Sequence, residues 1–210
     1  LGELKSTALG AVSNPLETLD YKYNIRGWLK SINGGYVDGT SNTNFFGMDL
    51  SYDYGFDKNQ LNGNIAGVKW RSKSSTKQRS YGFDYDKINR LTKADYHQDD
   101  GISNAWSQAT ADFSTSYSYD ANGNILSLQR KGVVVGTIAT IDNLTYDYGA
   151  GFGLAASGNI LRSVKDTEGD LGQGDFKDGT NTGDDYAYDK NGNMTRDRNK
   201  DINAVGDITY

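Results

Sequence analysis

Two oxygen-rich segments have the spacing most suggestive of chemistry: residues 120–124 read DANGN, and residues 189–193 read DKNGN. Closely spaced carboxylate and amide oxygens suit Ca²⁺, which binds oxygen ligands. The same residue types also close tight turns, because Asp and Asn accept backbone hydrogen bonds and Gly adopts positive φ. Neither segment carries the terminal glutamate of a helix–loop–helix calcium site. We therefore predict turns and no cofactor, with Ca²⁺ as the minor alternative.

Acid–base chemistry is the second possibility. His97 is the single histidine, and Asp95, Asp99 or Asp100 could orient it as a general base. Further carboxylates that could hydrolyse a glycoside cluster in two polar segments: Asp166, Glu168 and Asp170, and Asp184 and Asp185. No serine nucleophile motif accompanies them, and the absence of cysteine excludes thiol chemistry. Solvated loop side chains are the favoured interpretation, and we predict that the chain is not an enzyme.

Aromatic side chains are the third possibility, since the chain has 15 tyrosines and 3 tryptophans that could stack on sugars. Most tyrosines alternate with polar residues, which predicts strands with the rings on one packed face. Trp106 differs, because it lies in the polar segment 98–111, predicted to be a loop outside the sheet. Trp106 is therefore the candidate ligand-binding residue, with surface glycans as its partner.

The elements that must position these residues are β-hairpins. An alternating run precedes residues 120–124, and Ile125 begins an apolar return strand after them. Six such units follow one another, each marked by a tyrosine: Tyr23, Tyr54, Tyr85, Tyr119, Tyr148 and Tyr188. Their spacings of 31, 31, 34, 29 and 40 residues indicate an internal repeat.

Each unit has a pair of aromatic residues before its turn. The pairs are Tyr21 and Tyr23, Tyr52 and Tyr54, Phe83 and Tyr85, Tyr117 and Tyr119, Tyr146 and Tyr148, and Tyr186 and Tyr188. The turn residues that recur from unit to unit are Asp86, Asp120, Gly123, Gly158, Asp189 and Gly192. Asn24, Gly55 and Gly149 stand where the first, second and fifth units would have the aspartate. We predict a lead-in over residues 1–18, helical or extended, and one array over residues 19–210.

Composition favours the same all-β class. The chain has 26 glycines, a single proline and a mean hydropathy of -0.70, which suits short tyrosine-bearing strands separated by turns. A net charge of -5 argues against a nucleic-acid surface. The longest apolar run, residues 132–141, is too short to span a bilayer and is predicted to be one strand.

These repeats resemble the Rhs or YD-repeat family, whose signature is Tyr-x-Tyr-Asp, a glycine-containing turn and an apolar residue. Residues 117–125 and 186–194 match it, and residues 83–91 are a third match. The likeness covers residues 19–210 and is strongest to secreted or surface-attached members of the Bacteroidetes group. It implies antiparallel hairpins in a β-ribbon that spirals into a hollow shell, which in relatives encloses a C-terminal toxin or forms an adhesion stalk.

The resemblance implies a non-enzymatic structural segment of a secreted or cell-surface protein, an interior fragment whose signal peptide lies outside this chain. Its partners would be the rest of its own longer chain, namely further YD repeats and a C-terminal effector domain. A carbohydrate- or cell-surface-binding adhesion module is one alternative function. An exported substrate captured by secretion machinery is another. No counterpart of the family's self-cleaving signature is present.

Overall fold

The computed structural model describes residues 2–75, 77–99, 105–149, 158–179 and 182–202. The secondary structure is almost entirely antiparallel β, which confirms the predicted class. The chain divides into two compact units, Leu1–Ser114 and Thr115–Tyr210, and each is described by itself.

The first unit is a meander in which each strand pairs with the next along the chain. Its strands are β1 (Ser6–Ala11), β2 (Asn14–Tyr23), β3 (Leu29–Ile32), β4 (Phe46–Ser51), β5 (Gly67–Ser72), β6 (Arg79–Tyr85), β7 (Leu91–Asp99) and β8 (Trp106–Ser107), with β8 pairing with β7. A short helix, α1 (Gly34–Val37), connects β3 to β4. The lead-in is extended, because β1 pairs with β2.

The second unit has the same meander order in its larger sheet. Its strands are β9 (Thr115–Tyr119), β10 (Ile125–Val134), β11 (Thr137–Gly149) and β12 (Ile160–Asp166), followed by a separate pair, β13 (Tyr186–Tyr188) and β14 (Met194–Asp197). A single 3-10 turn, Arg198–Lys200, follows β14. Within each unit, the order along the chain is also the order in the sheet, as hairpins joined end to end require.

Residues 132–141 form the tip of a hairpin, so the prediction of a single strand there is wrong. Val134 pairs with Thr137, and the chain reverses through Val135 and Gly136. Both turn residues have positive φ, 48° at Val135 and 78° at Gly136. Two-residue hairpin turns need this geometry, but Asn, Asp or Gly normally supplies the first position. Because a valine occupies the first position, the sequence carries no signal for this turn.

Replacing Val135 with Asn is expected to raise the free energy of unfolding by about 1 kcal/mol, because the left-handed conformation is costly for a β-branched residue and tolerated by Asn. Chemical denaturation measures the change. Val12→Asn is the matched control, since both valines are exposed, 100% at Val12 and 97% at Val135, but Val12 does not have positive φ. Equal shifts for the two variants would contradict the strain argument.

Strand alternation gives the sheet of the first unit two different faces. One, the aromatic face, is centred on Tyr96, which is only 2% exposed. The rings of Tyr81, Phe113 and Trp70 surround it with centroids at 5.3, 5.1 and 6.4 Å. Such offset and edge-to-face ring pairs stabilise a sheet beyond their buried area. The aromatic face therefore carries the ring cluster of this unit.

The opposite, polar face carries the alternate residues of the same strands. Its cross-strand pairs on β6 and β7 are Ser80 with His97, Gly82 with Asp95, and Asp84 with Lys93. Connecting segments cover parts of this face where a glycine leaves room. A Cβ at Gly47 would lie 2.9 Å from the Val37 side chain of α1. A Cβ at Gly67 would lie against the ring of Phe56.

Candidate functional site

The turn at residues 120–124 is organised by one carboxylate. Oδ1 of Asp120 accepts the backbone N–H groups of Asn122 and Asn124, both at 2.8 Å. Its Oδ2 accepts the side-chain amide of Asn124, also at 2.8 Å. Gly123 has a φ of 95°, the region that glycine enters without a steric cost. The oxygens proposed as calcium ligands therefore receive hydrogen bonds that hold the turn.

The same hydrogen bonds recur at the turns that begin with Asn24, Asp86 and Asp189. In each, the first side chain accepts the N–H groups two and four residues later. The two distances are 2.9 and 3.0 Å for Asn24 and for Asp86, and 2.8 and 2.9 Å for Asp189. The residue in fourth place always has positive φ: Gly27, Asn89 and Gly192. Asn24 thus performs the role of the aspartate, because its amide oxygen is an equivalent acceptor.

Hydrogen bonding lowers the pKa of the three turn carboxylates. For Asp86 the largest cause is the backbone N–H of Arg90, and for Asp189 it is the side chain of Asn193. Partial burial would raise the pKa of Asp120, but the hydrogen bonds from Asn124 and the backbone outweigh it. Among the described residues, no group of three or more His, Asp or Glu side chains could hold a metal ion.

The turn carboxylates predict a specific loss of stability in acid. Their folded pKa lies below the unfolded value of about 3.9, so their contribution is complete above about pH 4 and is lost as the pH falls through the folded pKa. The Asp120→Asn, Asp189→Asn double variant keeps the acceptor, as Asn24 does, without the titration. We expect its thermal midpoint to fall less than that of the wild type as the pH is lowered.

The matched control for this pH experiment removes two charges elsewhere. Asp53 and Asp57 are exposed and stand in no such turn. The Asp53→Asn, Asp57→Asn variant is expected to keep the wild-type dependence on pH. If the thermal midpoint of the control depends less on pH than that of the wild type, or if that of the turn variant depends on pH as strongly as the wild type's, the acid sensitivity does not arise from the turn carboxylates.

Tyrosine hydroxyls join successive hairpins. At two turns of the first unit, the residue that follows the turn offers its backbone carbonyl, and a tyrosine of the next hairpin donates to it. The pairs are Tyr52 with Leu29 and Tyr85 with Ile65, both at 2.9 Å. Burial raises the pKa of the Tyr52 and Tyr85 phenols, which keeps them protonated as donors. Each bond fixes the register of one hairpin against the next.

Removing one of these hydroxyls should weaken the sheet measurably. Tyr85→Phe is expected to lower the free energy of unfolding by about 1 kcal/mol, because the carbonyl of Ile65 loses its partner. Tyr54→Phe is the control, since Tyr54 donates to Leu50 within its own hairpin and is 37% exposed. Urea denaturation compares the two. A neutral Tyr85→Phe would exclude a role for the hydroxyl in joining hairpins.

Asparagine side chains connect neighbouring turns in both units. In the first unit, the Nδ2 atoms of Asn62 and Asn64 donate to Oδ1 of Asn89, at 2.6 and 3.1 Å. In the second unit, the acceptor is Oδ1 of Asn159, and the distances from Asn122 and Asn124 are 3.2 and 2.9 Å. Adjacent turns therefore lie side by side along one edge of each sheet.

A cleft of about 400 Å³ lies on the polar face of the first unit. Alternate residues of β6 and β7 form its floor, including Asp84, Lys93 and Asp95. Phe56 and Trp106 line it, and both are half-buried. Phe56 is held by close packing, since its ring lies 2.4 Å from the place a Cβ would take on Gly67.

Charge pairs occupy part of this cleft. Lys58 contacts Asp84 at 2.7 Å, and Lys93 contacts Asp95 at 3.0 Å. Lys69 differs, because it makes no salt bridge with a residue that the structure describes. Its ammonium lies 5.7 Å from the centroid of the Phe56 ring and 5.6 Å from that of Trp106, a distance typical of cation–π interactions.

Trp106 lies at this cleft, and four residues of the segment predicted to be a loop outside the sheet, 98–99 and 106–107, are strand instead. Residues 98–99 end β7, and Trp106 pairs with Asp99 as part of β8. A two-residue strand follows from local backbone pairing and leaves no periodic pattern to find. His97 and Asp95 line the same cleft, whereas Asp100 lies outside the described residues.

The remaining carboxylates have structural contacts. Asp99 and Asp166 accept the backbone N–H groups of Gln78 and Asn143, at 3.0 and 2.9 Å, and so close the open ends of two hairpins. Asn33 closes the first hairpin in the same way, through the N–H of Asp20. Sequence analysis missed this role, although a polar residue at the end of a return strand is a signal for it.

The other acidic candidates are not arranged as a catalytic pair in the contacts described. Asp184 binds Arg162 at 2.8 Å, and the buried Asp185 accepts the N–H of Val164, also at 2.8 Å. Asp170 pairs with Lys177 at 3.0 Å. The backbone N–H of Glu168 donates to Asp166. These contacts tie loops to strands.

Compared with models of known protein families and with curated proteins, the sequence matches none. Within the part of the chain that the structure describes, no helix is long and apolar enough to cross a membrane. The function must therefore be inferred from the residues and their geometry.

Proposed function

We propose that this chain is a non-enzymatic structural segment of a secreted or cell-surface YD-repeat protein. It would contribute hairpins to a β-shell or stalk that encloses or presents another domain. Its partners would be further repeats and an effector domain of the same longer chain. The observation that carries the proposal is the hydrogen bond from a tyrosine of one hairpin to the carbonyl after the preceding turn, made twice in the first unit. This bond makes each hairpin a support for the next.

The use of polar groups also supports a structural role. The carboxylates of Asp86, Asp120 and Asp189 accept hydrogen bonds from backbone N–H groups of their own turns. Buried carboxylates such as Asp99 close hairpins. A hairpin with one aromatic face is marginal alone and gains stability from its neighbours. Such an architecture favours extension by repetition over a single catalytic centre.

Location and context of the native protein test the proposal. An antibody against this chain would be applied to intact producing cells, to their medium and to their soluble interior. We expect signal at the surface or in the medium, on a polypeptide that carries further repeats and a domain resistant to protease until the array is cut. Detection in the soluble interior alone would contradict secretion. If protease digests the attached domain equally fast before and after the array is cut, the array does not form a shell around it, and only the stalk function is left.

A carbohydrate- or cell-surface-binding module is the second candidate, and a specific observation favours it. Trp106 lines a cleft with Phe56 and several charged side chains. This combination of flat apolar walls and a few polar groups is typical of small-ligand sites. The two candidates are compatible, because the cleft occupies only part of one face of the first unit.

A further inference from the structure

Lys69 is the feature of the cleft that ion pairing within the chain does not explain. Two half-buried rings, Phe56 and Trp106, hold its ammonium through their faces. Its cross-strand neighbour Asp49 makes no salt bridge with it among the described residues. Cation–π contacts position a lysine but leave its hydrogen-bond donors available. The cleft therefore presents an oriented cation beside two apolar surfaces.

The other charges restrict what this cation can bind. Lys58 and Lys93 are already paired, with Asp84 and Asp95, respectively, and the carboxylate of Asp57 also lines the cleft. These carboxylates would repel a polyanion such as a nucleotide phosphate chain, since like charges at close range are unfavourable. They can accept hydrogen bonds from hydroxyl groups. A ligand with one negative charge and several hydroxyls satisfies both conditions.

Size and shape point to a sugar ring. A volume of about 400 Å³ lies within the usual range for small-ligand pockets. Trp106 and Phe56 offer apolar surface beside the ammonium for the C–H face of such a ring. We propose that the cleft binds a sugar carrying one carboxylate, which pairs with Lys69 while the ring packs against Trp106. Asp84 and Asp95 receive its hydroxyl groups.

The proposal rests on the carbohydrate-binding candidate and not on the shell or stalk function, and it can be tested on the chain itself. Calorimetric titration would compare methyl β-glucuronide with the neutral methyl β-glucoside. We expect saturable binding of the glucuronide and an affinity for the glucoside that is weaker by about tenfold or more, because a charge-assisted bond is lost. No saturable binding, or equal affinity for both sugars, overturns the proposal.

Variants locate the site. Lys69→Met and Trp106→Ala are each expected to weaken glucuronide binding by about tenfold or more. Lys73→Met is the matched control, since Lys73 lies 4.1 Å above the Phe45 ring, which does not line the cleft. Circular dichroism verifies folding. Equal losses for Lys69→Met and Lys73→Met overturn the site. If Lys69→Met does not fold, the comparison of the two sugars on the wild type decides.

Discussion

Replacing Tyr96 with Ala is expected to lower the free energy of unfolding by about 3–5 kcal/mol, the range for deleting a large buried aromatic side chain. Tyr96 is 2% exposed and contacts the rings of Tyr81, Phe113 and Trp70. The loss approaches the whole stability of many domains. Near-ultraviolet circular dichroism during urea denaturation would measure it, because the packed tyrosine and tryptophan rings give the signal.

Tyr96→Phe is the matched control for this change. It keeps the ring and removes only the hydroxyl, which contacts Gln98 at 3.3 Å. We expect a loss of about 1 kcal/mol. Similar losses for Phe and Ala would show that the hydrogen bond, and not ring packing on the aromatic face, stabilises this part of the sheet.

Asp142→Ala is expected to have the largest effect in the second unit, about 2–3 kcal/mol, because the N–H of Phe176 loses a charged acceptor and Arg130, whose side chain is 36% exposed, loses its partner. Asp142 is 3% exposed, pairs with Arg130 and accepts the backbone N–H of Phe176 at 2.6 Å. It thereby attaches the loop after β12 to the β10–β11 hairpin. We expect both a lower denaturation midpoint and faster proteolysis around Phe176.

A surface ion pair in the same loop provides the control. Asp170 pairs with Lys177 at 3.0 Å, but the two side chains are 43% and 71% exposed. Asp170→Ala should cost less than about 1 kcal/mol, because exposed pairs are screened by water. A cost equal to that of Asp142→Ala would contradict the assignment of the anchor to the buried carboxylate.

The sequence was sufficient for features that arise from local chemistry. Alternation predicted the all-β class, and the Asp-x-Asn-Gly-Asn pattern predicted turns of the kind seen at Asp120 and Asp189. Turn side chains bond their own backbone, so their role depends on a few adjacent residues. The turn at Val135 escaped prediction because its strained first position lacks the usual residue type.

The cleft could not be predicted, since it depends on contacts between distant residues. Lys69 meets Phe56 and Trp106 only through the pairing of β5, β6, β7 and β8. Trp106 stands out of phase with the repeats, yet its two-residue strand leaves no pattern in the sequence. The contact of Asp99 with Gln78 depends on the pairing of the two hairpin ends, which adjacent residues do not determine.

The tyrosine bond between hairpins has a consequence for how such a chain can change. Its acceptor is a main-chain carbonyl, at Leu29 and Ile65, so the bond places no demand on the side chain there. A duplicated hairpin would find its acceptor in any predecessor with the same turn position. The fold can thus gain or lose units by gene duplication and recombination without coordinated substitutions at the junctions.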